Sequence, residues 1–451
     1  MITEATSSKS TPTVAAAMLA LTIAGAATLG VGPHLAAPVI VACAFGFMTR
    51  LLYRRQLRRP SFWIVVFLLY CMASGLALGG FTALRNGQVL LWTTGEGRQF
   101  LYFWPALYFL EGPVPRERAV QRVMRSLTVF MLLNIIGHSA VGFSTLRSHH
   151  AAGALSVMLA IYAYFKFDKT RWVSDGVFFA LALICLLGSN SRTSLMAGVV
   201  AVMAVSMNMR QLQRVAGLLA VAPLVLVIMA QAFPMQFERL AAAANKETVH
   251  SFSANFLAAF SSEHPTEVAE VWDLTSTVDL SGNANVALRG YLFGRAAREF
   301  VRSPLVGSGF GRFNDMNRQF AGTEYLFYPV VAAGINSPSA LTAHNTYLHV
   351  LAELGVLGAL PLFLAFAAMW RGLKRGMRVD PQWSKAGRAS LLCLFMGGLA
   401  QHSLGAPVYG LTLVLVAALG YRRVLDAQSA GQPDKEPAAL LSTRIAAGAR
   451  H

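Results

Sequence analysis

An all-α, polytopic membrane fold is what this sequence predicts, and three observations carry the prediction. Only 13% of the 451 residues are charged and 55% are hydrophobic, with a mean hydropathy of +0.50; soluble domains carry roughly 25% charged residues. Apolar runs of about 20 residues, the length that crosses a bilayer, recur along the chain. The connections between them alternate between strongly basic and sparsely charged, as expected when cytoplasmic loops collect Lys and Arg. The net charge of +17 would suggest nucleic acid in a soluble protein; here it reads as loop charge.

About twelve transmembrane helices are expected, near 12–32, 35–49, 62–84, 99–111, 126–144, 151–165, 173–188, 193–209, 215–233, 346–370, 389–404 and 408–421. The fourth is short and interrupted at Pro105. Basic connections run from Arg50 to Arg59, Arg116 to Arg125, Lys166 to Arg171, Arg210 to Arg214 and Arg371 to Arg388. With Lys9 before the first span and Arg422 to Arg450 after the last, both termini are expected inside. The chain then divides into helices 1–9 (residues 1–233), an external loop region (234–345), helices 10–12 (346–421) and a tail (422–451), all one integrated membrane domain. Cys43, Cys71, Cys185 and Cys393 fall inside apolar runs without CxxC spacing and read as small core residues.

The external region is too long for a passive connector and is close to charge-balanced. Asn285 to Arg302 fits a helix, with Arg289, Phe293, Ala296 and Phe300 on one inward face and Arg295–Glu299 as an i,i+4 pair on the surface. Ser303-Pro-Leu-Val-Gly-Ser-Gly-Phe-Gly311 follows as a tight turn. No strand precedes its glycines, so it is not a nucleotide-binding fingerprint.

No Asp-x-Asp, HExxH or Walker motif is present, so metal-assisted transfer from a nucleotide donor has little support, and neither metal nor cofactor is expected. What the outer connections do hold is cations and one histidine. In Gly188-Ser-Asn-Ser-Arg-Thr-Ser-Leu195, Ser189, Asn190 or Ser191 can cap the eighth span, which puts Arg192 in its first turn. A cation there opposes the helix dipole unless an anion is present. Arg192 therefore either binds a diphosphate together with helix-end N–H groups or hydrogen-bonds loop carbonyls at the interface. His344 stands at the start of the tenth span, with Thr342 or Ala343 near the cap. A helix N-terminus keeps its ring neutral and able to accept a proton, which suits a general base; a plain hydrogen-bonding role is the alternative. One turn apart further along the helix, His349 and Glu353 fit a buried pair, read as packing.

At these residues the chain resembles a known family. His344-Asn-Thr-Tyr-Leu-His-Val-Leu-Ala-Glu-Leu-Gly-Val-Leu-Gly358 is similar to the signature of the O-antigen ligase and polymerase superfamily of bacterial envelope enzymes. Ser191-Arg-Thr-Ser194 resembles its arginine at the outer end of a middle helix, and Arg289 with Pro304-Leu-Val-Gly307 its external-loop arginine and turn. The resemblance is specific from about residue 185 to 360, and in the first third it rests on architecture and the aromatic Arg98–Phe109 segment. It implies a glycosyltransferase C-like helical fold in the bacterial inner membrane with an active site at the periplasmic face. It also implies metal-independent, inverting transfer of a glycan from undecaprenyl diphosphate, in ligases to a sugar of lipid A-core in lipopolysaccharide assembly. On that resemblance His344 is the base, Arg192 and Arg289 bind the donor diphosphate, and Arg98, Arg147 and Arg85 are further candidates for the phosphates. Asn345 and Tyr347 are candidates beside His344.

Polymerases of the superfamily often carry two substantial periplasmic loops. Here the last outer connection, Gly405 to Pro407, is a few residues long, which favours a ligase over a polymerase or a protein O-oligosaccharyltransferase. A transporter of lipid-linked glycan is the non-enzyme alternative; the chain shows no matching halves or paired broken helices of the kind transporters use.

Overall fold

A computed structural model of the chain describes residues 11–28, 36–54, 56–85, 103–141, 149–189, 191–206, 246–261, 283–310, 313, 343, 345–400 and 410–430. Among them every regular element is helical and there is no strand. The helices are α1 (Thr11–Thr28), α2 (Ala36–Arg54), α3 (Arg59–Arg85), α4 (Phe103–Glu111), α5 (Glu117–Val141), α6 (His149–Thr170), α7 (Val173–Gly188) and α8 (Arg192–Ser206). Then come α9 (Lys246–Ser261), α10 (Asn283–Arg302), α11 (Thr346–Arg375), α12 (Pro381–Ala400) and α13 (Leu415–Ala430), which a π-helical turn at Gly410–Val414 precedes. Each expected span coincides with one of them except 215–233, which lies outside the described residues.

Local sequence explains where these helices start. Pro381 opens α12, where its missing N–H costs nothing, and Asp380 Oδ1 accepts the Trp383 N–H at 3.4 Å as its cap. Among the described residues two helices are long and apolar enough to cross a bilayer outright, Glu117–Gly137 with mean hydropathy 1.3 and Thr346–Arg378 with 2.1. Shorter apolar helices include Pro12–Ala24, Pro38–Leu52, Arg59–Gly75, Val173–Gly188 and Thr193–Ser206. The described part of the fourth span, α4, has only 9 residues, a rise of about 14 Å.

Large apolar side chains cover the outside of this body. Val41, Phe45, Met48 and Leu52 follow one another at helical spacing on α2 and are all exposed, Phe45 by 71% and Leu52 by 79%. Val129, Leu133 and Ile136 do the same on α5. Water would not tolerate apolar stripes of this extent on a monomer, whereas lipid is as apolar as the stripes themselves. The architecture is that of a helical membrane protein. All four cysteines are free and buried, as their apolar surroundings suggested.

The described basic connections gather at one end of the bundle. Glu117, in the first turn of α5, accepts from Tyr162 Oη at 3.0 Å and from Trp383 Nε1 at 2.8 Å, and pairs with Arg423 at 2.8 Å. It thereby ties α5 to α6, α12 and α13. At the same end Arg58 pairs with buried Glu111 (3.0 Å), Arg125 with buried Asp175 (2.9 Å) and Lys385 with Asp168 (3.3 Å). Buried carboxylates need such partners. Their effect is to fix which helix ends lie together.

At the opposite end sits a second, smaller core. Ala259 of α9, Leu292 and Ala296 of α10, Phe313, Ala343 and Ala352 are buried together, with Leu348 packed against them. This cluster joins the two helices of the long loop region to the first turns of α11.

Candidate active site

The candidate site is built on α11. Asn345 caps it, its Oδ1 accepting the N–H groups of Tyr347 (3.0 Å) and Leu348 (3.1 Å), while its Nδ2 donates to Leu399 O of α12 at 3.0 Å. The cap thus falls at Asn345 rather than at Thr342 or Ala343, because its oxygen lies in reach of two orphan donors at once. Tyr347 Oη donates to Phe395 O at 2.5 Å, and its ring packs against Phe363 and Phe395. Both side chains are engaged in holding α11 to α12.

About 15 Å along the helix, α11 breaks. Gly355 has φ 60° and ψ −168°, a conformation essentially reserved for glycine. In an unbroken helix Val356 and Leu357 would donate to Ala352 and Glu353. Here they donate to Pro304 O (2.9 Å) and Leu305 O (3.0 Å), while the freed carbonyls of Ala352 and Glu353 accept from Ser308 N (2.9 Å) and Gly309 N (2.8 Å). The Ser303–Gly309 turn is therefore spliced into the helix, supplying all four missing partners. Ser308 Oγ adds a bond to Ala352 O at 3.0 Å. Gly307 (φ 72°) lies against the Glu353 carbonyl with no room for a Cβ. The amides of Ser308 and Gly309 are thus taken up by helix carbonyls.

Directly before the break lies the His349–Glu353 pair, both residues 1% exposed, with Nε2 to Oε2 at 3.5 Å. Glu353 Oε1 accepts the Phe313 N–H at 3.1 Å. The Phe313 ring meets the imidazole edge-on with centroids 5.2 Å apart, and His349 Nδ1 faces the Ala343 N–H at 3.5 Å. His344 itself lies outside the described residues. Its chain neighbours Ala343 and Asn345 are both buried and make the contacts just given.

Helix α10 forms as expected, but its packing differs from the expected face. Ala296 is fully buried while Phe293, Phe300 and Arg289 are half-buried, and the buried set is Gly290, Leu292, Gly294, Arg295, Ala296, Arg298 and Glu299. The Arg295–Glu299 pair, at 3.2 Å with both side chains under a tenth exposed, is inside the structure and not on its surface. The reason is α9, a helix that periodicity had not revealed. It packs on α10 with its Phe252 and Phe256 carbonyls against Gly290 and Gly294, so one side of α10 faces α9 and another faces α11. Arg289 stands one turn before Leu292, on the side that meets Ala343 and Ala352.

The third component is the start of α8. Ser191 Oγ accepts the Ser194 N–H at 3.4 Å and lies 2.7 Å from Ser194 Oγ, which makes Ser191 the cap and places Arg192 first in the helix. Gly153, in the first turn and a half of α6, lies against both serines with no room for a Cβ. Since the last turn of α6 meets the start of α12 through Asp168 and Lys385, its first turns lie at the far end of α12, where Leu399 binds Asn345. Arg192, the α11 cap and the α10 face thus share one end of the bundle. Arg98 and Arg147 lie outside the described residues, and Arg85 is the last residue of α3.

Sequence reasoning assigned His349 and Glu353 to packing and missed the splice at Gly355. The available signal was a glycine in mid-helix together with a glycine-rich turn, neither of which looks unusual alone.

No curated protein matches the chain. Residues 177–363 match the family model described as O-Antigen ligase, a stretch holding Arg192, Arg289, the spliced turn and the start of α11.

Proposed function

We propose that the protein is an O-antigen ligase, transferring a glycan from undecaprenyl diphosphate to a sugar hydroxyl of lipid A-core. The observation that carries the reading is that one family match, residues 177–363, contains both candidate diphosphate arginines and the histidine-bearing helix start. The shared end of the bundle for α8, α10 and α11 supports it further.

In this reading His344 takes the proton of the acceptor hydroxyl as its oxygen attacks the anomeric carbon from the face opposite the diphosphate. The bond from that carbon to the diphosphate oxygen breaks, the configuration inverts, and the proton leaves later from His344 to water. Arg192 and Arg289 hold the leaving undecaprenyl diphosphate and stabilise the charge that grows on it. Arg85, Arg98 and Arg147 are further phosphate contacts in the same proposal. The reaction is metal-independent, as the resemblance implies. The protein sits in the bacterial inner membrane with about twelve spans and cytoplasmic termini. Residues 234–345 form a periplasmic loop region over the active site.

The test is transfer by purified protein from lipid-linked glycan to lipid A-core, both extracted from the cells that make them, in the presence of EDTA. Product is expected, and His344→Ala is expected to abolish it while undecaprenyl diphosphate still binds. Arg192→Ala and Arg289→Ala are each expected to weaken that binding at least tenfold. A strict metal requirement or an active His344→Ala protein refutes the mechanism. Chain extension without lipid A-core makes the protein a polymerase instead.

A further inference from the structure

The buried His349–Glu353 pair touches the two described residues that flank positions 314–342, Phe313 on one side and Ala343 on the other. A backbone N–H can only donate, so the Ala343 N–H assigns Nδ1 of His349 as the lone-pair nitrogen. The neutral ring then carries its proton on Nε2, which lies 3.5 Å from Glu353 Oε2. Oε1 of the same carboxylate accepts from Phe313 at 3.1 Å. Three donors or donor-assigned positions therefore converge on three acceptors, and the arrangement works only if both Glu353 oxygens accept. The spliced turn fixes the backbone of Glu353 from behind, through the Gly309 N–H at 2.8 Å. Tightening the two 3.5 Å contacts to the usual separation needs shifts of about 0.6 Å, within the reach of a side chain when substrate arrives.

We propose that His349 and Glu353 are a positioning pair, which holds the chain at Phe313 and at Ala343, the residue directly before His344 in sequence. This deepens the reading of His344 as base and rests on it. The pair moves no proton in the reaction. Its imidazole tautomer, set by the carboxylate, decides whether Ala343 is held or repelled.

Substitutions separate this role from simple packing. Glu353→Gln has one accepting oxygen, so whichever way its amide turns, an N–H faces either the Phe313 N–H or the His349 Nε2–H. If the ring changes tautomer to suit, Nδ1–H opposes the Ala343 N–H. His349→Asn can place an amide oxygen toward Ala343, whereas His349→Ala cannot. The wild-type protein and His344→Ala are measured first, and transfer by the former and not the latter is the control. Its failure overturns the reading of His344 itself. With the control satisfied, Glu353→Gln is expected to lower kcat about 100-fold, the scale of an ångström-level misplacement. Its KM for donor and its binding of undecaprenyl diphosphate are expected to stay unchanged. His349→Asn is expected to retain at least tenfold more kcat than His349→Ala. Wild-type kcat in Glu353→Gln, or equal kcat in the two His349 variants, overturns the positioning pair. So does a change in the acid limb of the kcat/KM profile of Glu353→Gln, since that would put the pair itself in proton transfer. Should Glu353→Gln fail to fold, the comparison of the two His349 variants decides.

Discussion

Replacing Gly355 by alanine tests the splice at the centre of this structure. The new Cβ would lie against the Leu305 carbonyl and 2.6 Å from Gly307 N, closer than real Cβ atoms come, on a residue with φ 60°. Two responses are open to the chain. If the break persists, the backbone strain is about 1–3 kcal/mol. If α11 straightens, Val356 and Leu357 regain their intrahelical acceptors, but the Pro304 and Leu305 carbonyls lose their donors and the Ser308 and Gly309 N–H groups lose their acceptors. Four bonds then become two, at about 0.5–1.5 kcal/mol each, a net loss of about 1–3 kcal/mol. Both routes give the same scale against a typical total stability of about 5–15 kcal/mol, so the variant folds but holds its turn more weakly. Amide hydrogen exchange of the purified protein reads this directly. Ser308 and Gly309 are expected to exchange about 5- to 150-fold faster in Gly355→Ala, the range that 1–3 kcal/mol corresponds to. Unchanged exchange at both amides refutes the reasoning, because their protection is attributed to the Ala352 and Glu353 carbonyls.

Two further substitutions probe the two ends of the bundle. Gly153→Val drives a side chain into Ser191 and Ser194 and should weaken undecaprenyl diphosphate binding several-fold by displacing the first turn of α8; unaltered binding would mean that the capped turn contributes nothing to the donor site. Glu117→Ala removes the acceptor of Tyr162, Trp383 and Arg423. Hydrogen bonds to a charged group contribute about 1.5–3 kcal/mol, discounted here because Glu117 is 30% exposed, so a loss of about 2 kcal/mol is expected. It should appear as a lower midpoint in thermal inactivation, with transfer per folded molecule unchanged.

Much of the frame is legible in the chain because two strong constraints act on it. Bilayer length forces apolar runs, and basic loops mark one side of them, so helix positions and the grouping of Arg58, Arg125, Lys385 and Arg423 at one end follow from composition. Arg192 at a helix start follows from the serine cap before it. The face of α10 was harder. Periodicity weighted Phe293 and Phe300, but two partner helices bury different sides, and the long-range packing of α9 against Gly290 and Gly294 decides which residues are covered. Arg295 and Glu299 are inside for that reason.

By itself, then, the sequence determined an all-helical membrane body, its basic end, and the two residue stretches around Arg192 and His344 that carry the family resemblance. Tertiary structure alone decided that the Ser303–Gly309 turn completes α11 and that Glu353 accepts from Phe313 while His349 faces Ala343. Hydropathy reads each helix against the solvent around it. The splice and the Phe313–Glu353 bond depend on hydrogen bonds between residues about 40 to 52 positions apart, whose partners no local pattern encodes.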